Sequence, residues 1–288
     1  MFEKEAQEIL ELFNGMQGKK ASILLHNNPD PDCLSSATTV NKILEAYGIQ
    51  TKGASNGIPT YEMTRHLADL IPHNLRNRAE YIRPLKFDSD FFVLVDFSNW
   101  SQFKGLTPDV FENKPVIIID HHPDSKDPIV GKNIHRFVNR AQSNSVNLLT
   151  VLEKTGFEFT ENEDDQKCLL LAQKGIITDL GNRQPDEETA KILKFIDEKL
   201  TDEKLIKTSK KLDDLKPPRL WTQHLAKPYS IAGRYGNFAI LGLGAIEDRG
   251  IVPFTAEKLM RILDLEAAIV FALAYETNSE DKLINLDI

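Results

Sequence analysis

Three short apolar segments, each followed directly by a histidine or an aspartate, constrain this chain more than any other feature. They cover residues 21–25, 91–95 and 116–119 and consist mainly of Leu, Ile, Val and Phe. Short segments of this kind are typical of strands buried on both faces of a parallel sheet. Helical spacing of apolar residues follows the first of them, over 33–47. The sequence therefore predicts an α/β fold with a mostly parallel sheet flanked by helices.

A second, smaller α/β domain is predicted near the end of the chain. Helical patterns dominate 143–211, and two consecutive prolines at 217 and 218 end them. A strand, a helix and another strand are predicted after these prolines, and a length of 288 residues is ample for two domains. We expect a first domain over 1–197, a helical connector over 198–220 and a second domain over 221–288.

The polar residues after the three predicted strands have the chemistry of a metal site. They are His26, Asp30 and Asp32 after the first strand, Asp96 after the second, and Asp120, His121 and His122 after the third. Taken singly, each is an ordinary turn residue. The carboxyl ends of parallel strands meet at one edge of a sheet, however, so we expect these side chains to lie close together.

Such a cluster of carboxylates and imidazoles suits Mn²⁺ or Mg²⁺, and a carboxylate such as Asp96 can bridge two ions about 3.5 to 4 Å apart. The chain has only two cysteines, Cys33 and Cys168, which are too few for a disulfide framework or a zinc site built from thiolates. The metal is therefore expected to use histidines and carboxylates.

Charge and hydropathy limit the partners that the chain is expected to have. The formal net charge of −8 argues against the broad basic surface of a duplex-DNA binder, although a local basic cleft stays open. No apolar run approaches the roughly 20 residues that cross a bilayer, and the first residues are charged. We expect a cytoplasmic protein without a membrane partner, and a homodimer is left open.

Four motifs together closely resemble those of the DHH phosphoesterase superfamily. They are the run 26–32, Asp96, the triplet Asp120-His121-His122, and Thr178-Asp179 within GIITDLGN. In the second domain, GAIEDR at 244–249, followed by a helix and the strand AAIVFALAY, resembles the DHHA1 domain of that superfamily. The resemblance implies a catalytic DHH domain, a DHHA1-like substrate-binding domain and an active site in the cleft between them. DHHA1 domains usually continue into a glycine-rich loop that ends in histidine and holds the terminal nucleotide. No such loop precedes Ile288, so the second domain is expected to be incomplete or to lack that contact.

The resemblance also implies roles for single residues, with two Mn²⁺ per chain and Mg²⁺ as a substitute. One ion would be held by His26, Asp30 and Asp96, and the other by Asp32, Asp96, His121 and Asp179. Together with Asp96, the catalytic residues would be His122, which faces the substrate phosphate, and Asp120, which supports the histidine pair. Cys33 and Ser35 depart from the small residues that the family often has after its first motif.

Further positive charges are needed to bind an anionic substrate, because the negative charges of four aspartates nearly cancel the positive charges of two divalent ions. His122, Arg183 and Arg249 are the candidates, although an exposed arginine such as Arg183 near a helix end is also common. Ser143 and Ser145 open a predicted helix. Ser145 is a candidate phosphate contact, with a plain helix cap as the alternative.

We expect the chain to hydrolyse a phosphoester of a small anionic nucleotide with water activated by two Mn²⁺ ions. The substrate is expected to be a short single-stranded oligoribonucleotide, cut as by an exonuclease, a 3′,5′-bisphosphonucleoside or a cyclic dinucleotide. An inorganic pyrophosphatase or polyphosphatase is the alternative, and the Asp248-Arg249 segment argues against it because those enzymes usually carry a different second domain. A non-catalytic binding scaffold is the alternative from another class, and the full set of expected ligands argues against it.

Overall fold

The computed structural model describes residues 3–55, 62–76, 87–103, 105–111, 113–123, 126–181, 183–213, 233–246, 251–277 and 283–287. Contacts between residues divide the chain into two compact units. The first comprises residues 1–59 and 63–213, and the second comprises 60–62 and 214–288. Each unit has a sheet of its own.

The sheet of the first unit has five strands, all parallel. They are β1 (Lys20–Leu25), β2 (Gln50–Ser55), β3 (Phe91–Val95), β4 (Val116–Asp120) and β5 (Ile134–Val138), in the order β2-β1-β3-β4-β5. The three strands predicted from apolar segments are the three central ones, and every residue of β3 and β4 is buried. The prediction of a parallel sheet is confirmed.

Seven helices belong to the described part of the first unit, in addition to short 3-10 turns. They are α1 (Glu3–Asn14), α2 (Pro31–Ala46), α3 (Glu62–Ala68), α4 (Asn144–Lys154), α5 (Glu163–Leu180), α6 (Glu187–Lys199) and α7 (Glu203–Asp213). Side chains cap several of them: Asp30 caps α2, Ser143 caps α4 and Asn162 caps α5. Helix α2 packs against both α4 and α5.

A cluster of buried apolar residues packs on the strands of the sheet. Leu24, Phe92 and Leu94 on the strands pack with Phe97 and Phe103 from the segment after β3. Two strands, β2 and β5, were not predicted from the sequence. Their segments QTKGAS and IHRFV mix polar and apolar residues because both strands lie at sheet edges, where fewer side chains are buried.

The second unit contains a four-stranded sheet with the order β6-β7-β8-β9. Its elements are β6 (Gly233–Tyr235), β7 (Phe238–Ile246), α8 (Ile251–Leu263), β8 (Ala267–Thr277) and β9 (Leu283–Asp287). The two central strands are parallel, and each edge strand is antiparallel to its neighbour. The predicted smaller α/β unit is confirmed. Within the described ranges, no helix has the length and hydropathy needed to cross a membrane.

Candidate metal centre

The carboxyl ends of β1, β3 and β4 lie side by side and deliver the first functional residues. Leu25 pairs with Val95, and Val95 pairs with Ile119, so the residues that follow them in each strand meet at one edge. Asp96 has a φ of 63°, a conformation uncommon outside glycine that aspartate adopts more readily than most residues. Backbone conformations of this kind cluster at functional sites, which makes Asp96 the first candidate.

Asp96 is a buried carboxylate without a hydrogen-bond partner on either oxygen among the described residues. Only 1% of the residue is exposed. Its Oδ1 lies 3.4 Å from Nε2 of His121, and its Oδ2 lies 3.6 Å from Nε2 of His26. Burial raises the pKa of Asp96, but the two imidazoles outweigh burial and lower it to about 2. The carboxylate is therefore charged, buried and available to a cation.

His121 presents one nitrogen to three carboxylates. Its Nε2 lies 3.2 Å from Oδ2 of Asp179, 3.4 Å from Oδ1 of Asp96 and 3.7 Å from Oδ2 of Asp32. Its Nδ1 lies 3.2 Å from the carbonyl oxygen of Ala141, which can only accept a hydrogen bond. Nδ1 therefore carries a proton and donates it, which is the usual arrangement when Nε2 binds a metal.

Repulsion within the cluster shifts the pKa values of its acidic groups. Burial and the charge of Asp32 raise the pKa of Asp179 to about 9. Burial and the charge of Asp96 raise the pKa of Asp30 to about 6. Burial lowers the pKa of His121, but the adjacent carboxylates of Asp179 and Asp96 outweigh burial and raise the pKa to about 11. A divalent cation would relieve this repulsion.

The donor set fits a divalent metal. Two ligands about 2.1 Å from one ion lie about 3.0 Å apart at a right angle and about 3.4 Å apart at the tetrahedral angle. The separations of His121 Nε2 from its three carboxylates, 3.2, 3.4 and 3.7 Å, are close to these values. Nε2 of His121 and Oδ2 of Asp179 are also buried without a hydrogen-bond partner in the described part of the chain.

Asp32 lies in the same cluster but in a different setting, at the beginning of α4. Its Oδ1 accepts hydrogen bonds from the hydroxyl of Ser143 at 2.6 Å, the backbone N–H of Ser145 at 3.0 Å and the hydroxyl of Ser145 at 2.5 Å. Its Oδ2 accepts one from the backbone N–H of Asn144 at 2.7 Å. Gly175 of α5 allows this approach, because a Cβ there would lie 3.0 Å from the Cα of Asp32 and 2.9 Å from the hydroxyl of Ser145.

This arrangement corrects the expected role of Ser145. The residue is fully buried, and its hydroxyl donates to Asp32 and lies 2.8 Å from the hydroxyl of Ser35. The hydroxyl is thus used to hold a carboxylate of the cluster and does not line a surface that a phosphate could reach. The sequence pattern of a helix start could not distinguish a phosphate from an aspartate of the same chain as the bound anion.

Asp120 holds His122 in place. Its Oδ1 accepts from the backbone N–H groups of His121 and His122 at 2.8 and 3.2 Å, and from Nδ1 of His122 at 2.9 Å. This hydrogen bond to Asp120 raises the pKa of His122. The His122 side chain is 45% exposed, and with Nδ1 engaged, Nε2 is the nitrogen left for another partner. This geometry supports the predicted substrate-facing role of His122.

A cavity of about 570 Å³ opens beside the cluster. Its lining comprises His121, His122, Pro123, Arg140, Ala141, Asp179 and Arg183. Arg183 is exposed and donates to the backbone carbonyl of Asp179 at 2.6 Å. Arg140 was not predicted from the sequence, and the available signal was its position two residues after β5, at the same carboxyl edge. Arg249, the other predicted phosphate contact, lies outside the described residues.

The structure brings the predicted ligands together and adds a thiol. One group contains Asp32, His121 and Asp179, another contains Asp96, His121 and His122, and a third contains His26, Cys33 and Asp96. Within each group, one ligand atom per residue lies within 4.8 Å of the others. The sequence predicted a site of histidines and carboxylates, and the structure also places the sulfur of Cys33 beside His26 and Asp96. Asp30 places Oδ1 2.9 Å from the backbone nitrogen of Cys33 and caps α2.

Comparison with known proteins gives a family and a fold. The family model described as the DHH family, N-terminal domain, matches residues 20–176, which is more than half of the chain. The crystal structure of an exopolyphosphatase-related protein from Bacteroides fragilis superposes with a TM-score of 0.66 at 15% identity, covering 96% of this chain and 81% of that one. The structure of exonuclease RecJ bound to manganese gives a TM-score of 0.47 at 16% identity, covering 93% and 80%. No curated protein matches the sequence.

Proposed function

The chain belongs to the DHH family, whose members are metal-dependent phosphoester hydrolases, and we propose on that premise that it hydrolyses a phosphoester of a small nucleotide. One observation carries the proposal. Nε2 of His121, Oδ2 of Asp179 and both carboxylate oxygens of Asp96 are buried without hydrogen-bond partners in the described chain. His121 and Asp179 also line the neighbouring cavity, together with His122 and two arginines.

Two groups of residues would hold two divalent ions. His26, Asp30 and Asp96 would hold one, and Asp32, Asp96, His121 and Asp179 the other, with Mn²⁺ as the proposed metal and Mg²⁺ as a substitute. When bound, such ions supply Lewis acidity that activates water and stabilises charge on the phosphoryl group. The side chains contribute fixed positions: Ala141 orients the ring of His121, and the beginning of α4 holds Asp32.

His122 is the proposed hydrogen-bond donor to the phosphoryl group of the substrate. Its hydrogen bond to Asp120 raises its pKa and so favours the protonated ring, whose Nε2–H can donate to a phosphoryl oxygen. Arg140 and Arg183 line the same cavity and add positive charge where an anionic substrate would bind. Asp120 keeps the ring of His122 in one orientation while this bond forms.

The size of the cavity favours a small substrate over a long polymer. A volume of about 570 Å³ is in the range of sites for single small ligands. A short oligoribonucleotide, a 3′,5′-bisphosphonucleoside or a cyclic dinucleotide would present one phosphoester to the cluster. A single-stranded end, rather than a duplex, suits a protein with a net charge of −8.

Pyrophosphate or polyphosphate is the second candidate substrate class. Apart from the two histidines, the described lining has no aromatic side chain on which a base could stack, whereas two arginines suit phosphate groups. The fold likeness to the exopolyphosphatase-related protein is compatible with this class.

A panel of substrates with one metal at a time tests the proposal. The panel contains a dinucleotide, a 3′,5′-bisphosphonucleoside, a cyclic dinucleotide, pyrophosphate and a short polyphosphate, each with Mn²⁺, Mg²⁺ or Ca²⁺. We expect phosphoester hydrolysis with Mn²⁺, slower with Mg²⁺ and none with Ca²⁺, which is larger and less Lewis-acidic. Product mass and released phosphate are the readouts. Release from pyrophosphate alone would move the assignment to the second class, and binding of Mn²⁺ without turnover of any substrate would reject an enzyme.

A further inference from the structure

Cys33 lies at the edge of the candidate metal centre, in the first turn of α2. The residue is fully buried. Its sulfur, a nitrogen of His26 and a carboxylate oxygen of Asp96 lie within 4.8 Å of one another. The sulfur is also 3.9 Å from the carbonyl oxygen of Val95, the last residue of β3. The parallel pairing of β1 with β3 brings His26 and Asp96 together, and α2 then places the thiol beside them.

Asp96 provides an independent sign that this group is built for a ligand. It is 99% buried, and among the described residues neither of its oxygens has a hydrogen-bond partner. The 3.6 Å between its Oδ2 and Nε2 of His26 is too long for a hydrogen bond. It is close to the roughly 3.4 Å between two ligands at about 2.1 Å from a tetrahedral ion.

Asp30, the third ligand that the family resemblance implies here, has another use for one oxygen. Its Oδ1 accepts the backbone N–H of Cys33 at 2.9 Å and caps α2. The same hydrogen bond fixes the backbone of Cys33 relative to the loop that carries His26. Sulfur is therefore held beside the two other ligand atoms by the first turn of the helix.

We infer that Cys33 is a metal ligand, and that its sulfur joins His26 and Asp96 in a site that prefers a borderline-soft divalent cation such as Zn²⁺. The inference rests on the proposed function for one point, that this cluster binds divalent metal. Coordination requires the thiolate, so binding of the ion releases the Cys33 proton to solvent.

The consequence is a centre with two unlike halves. The half formed by Asp32, His121 and Asp179 offers only oxygen and nitrogen, which suit Mn²⁺ and Mg²⁺. The half with Cys33 offers sulfur, nitrogen and oxygen, which suit Zn²⁺ better. Asp96 contributes to both halves, through Oδ1 towards His121 and Oδ2 towards His26. One chain would thus load two different metals.

Cobalt spectroscopy tests the sulfur ligand directly. The full chain is stripped of metal by a chelator and titrated with Co²⁺, whose bond to a thiolate gives a charge-transfer absorption in the near ultraviolet. We expect the band in the wild type and its loss in Cys33→Ala and Cys33→Ser. Cys168→Ala is the matched control, because Cys168 is equally buried but contacts Thr39 instead of the metal centre. Absence of the band from the wild type would overturn the inference even if the Cys33 variants fail to fold.

Metal affinities measured by calorimetry provide the second readout. In the wild type, Zn²⁺ should bind the site formed by His26, Cys33 and Asp96 more tightly than Mn²⁺, and Cys33→Ala should reduce this preference at least about tenfold. Cys168→Ala should leave the preference unchanged, and equal preferences in wild type and Cys33→Ala would contradict the inference. Phosphoester hydrolysis without the cobalt band would reject the thiolate ligand and leave the proposed function standing. The band without hydrolysis of any substrate would support the ligand and reject the proposed function.

Discussion

The candidate metal centre has two ends that treat a buried carboxylate in opposite ways. At the end formed by α4, Asp32 accepts four hydrogen bonds, from two hydroxyls and two backbone N–H groups. At the end formed by β3, Asp96 accepts none from the described residues. Both side chains are almost completely inaccessible to solvent. Burial alone therefore does not distinguish them, but their partners do.

The difference separates a carboxylate that the fold stabilises from one that needs an added cation. The positive end of the α4 dipole and the N–H groups of its first turn stabilise the charge of Asp32 without a metal. Asp96 depends on the imidazoles of His121 and His26 at 3.4 and 3.6 Å, and its φ of 63° adds backbone strain. We expect Asp32 to contribute to folding and metal binding together, and Asp96 to contribute mainly to metal binding.

Replacement of Asp96 has the largest expected effect on activity. Asp96→Asn should lower metal-dependent turnover about 10³-fold or more, because the residue faces both halves of the centre. Asparagine tolerates a positive φ. Without metal, the free energy of unfolding of the variant should therefore lie within about 1 kcal/mol of the wild-type value. Turnover and urea unfolding are measured with and without Mn²⁺. Asp165→Asn is the control, because Asp165 is a buried aspartate outside the centre. If Mn²⁺ still stabilised Asp96→Asn against unfolding, the comparison would be contradicted.

His122 extends the comparison to the exposed side of the centre. His122→Ala should retain both metals, because its Nδ1 is bound to Asp120, and should lower turnover about 10²-fold. Metal content per chain and rate are measured on the same preparation. His135→Ala, an exposed histidine on β5, should change neither quantity. Loss of one metal per chain in His122→Ala would show that His122, and not His121, is the ligand.

Ser145 tests whether the hydrogen bonds at Asp32 matter for metal binding. Ser145→Ala removes the 2.5 Å hydrogen bond to Asp32, so affinity for Mn²⁺ should fall about tenfold. The free energy of unfolding should fall by about 1.5 to 3 kcal/mol, the usual range for a hydrogen bond to a charged group. Ser209→Ala is the matched control, because that serine bonds a neutral glutamine. Equal losses of Mn²⁺ affinity in both variants would show that the hydrogen bonds from the beginning of α4 to Asp32 have no special role in metal binding.

Asp165 gives a third buried carboxylate, stabilised outside the centre. Burial raises its pKa, but the hydrogen bonds from Lys42 at 2.6 Å and from Thr160, together with the charge of Lys42, outweigh burial and lower it. A pKa lowered on folding stabilises the native state above the unfolded value of 3.8, and this contribution is lost as pH falls through the folded value. At neutral pH, the free energy of unfolding of Asp165→Asn should therefore be about 1 to 3 kcal/mol lower than that of the wild type. This difference should disappear as the pH becomes acidic. Urea unfolding across this pH range checks it. A gap that stays constant in acid, or a change in Mn²⁺ binding, would contradict the assignment.

Local patterns predicted the centre of the first unit well. The segments 21–25, 91–95 and 116–119 became the three middle strands because their residues are apolar on both faces. The edge strands β2 and β5 escaped prediction because exposed edges allow polar residues. The clustering of His26, Asp96 and His121 followed from the rule that parallel strands end at one edge.

What the sequence determined by itself was the kind of fold and the kinds of atoms at its active edge, since both depend on residues close together in the chain. Only the tertiary structure decided which atoms meet. Asp32 and Ser145 are separated by 113 positions, and Cys33 and Val95 by 62. Such contacts depend on strand order and on the way α2, α4 and α5 pack, which no local pattern specifies. The thiol beside Asp96 and the hydroxyls on Asp32 are therefore results of packing, although every residue involved is visible in the sequence.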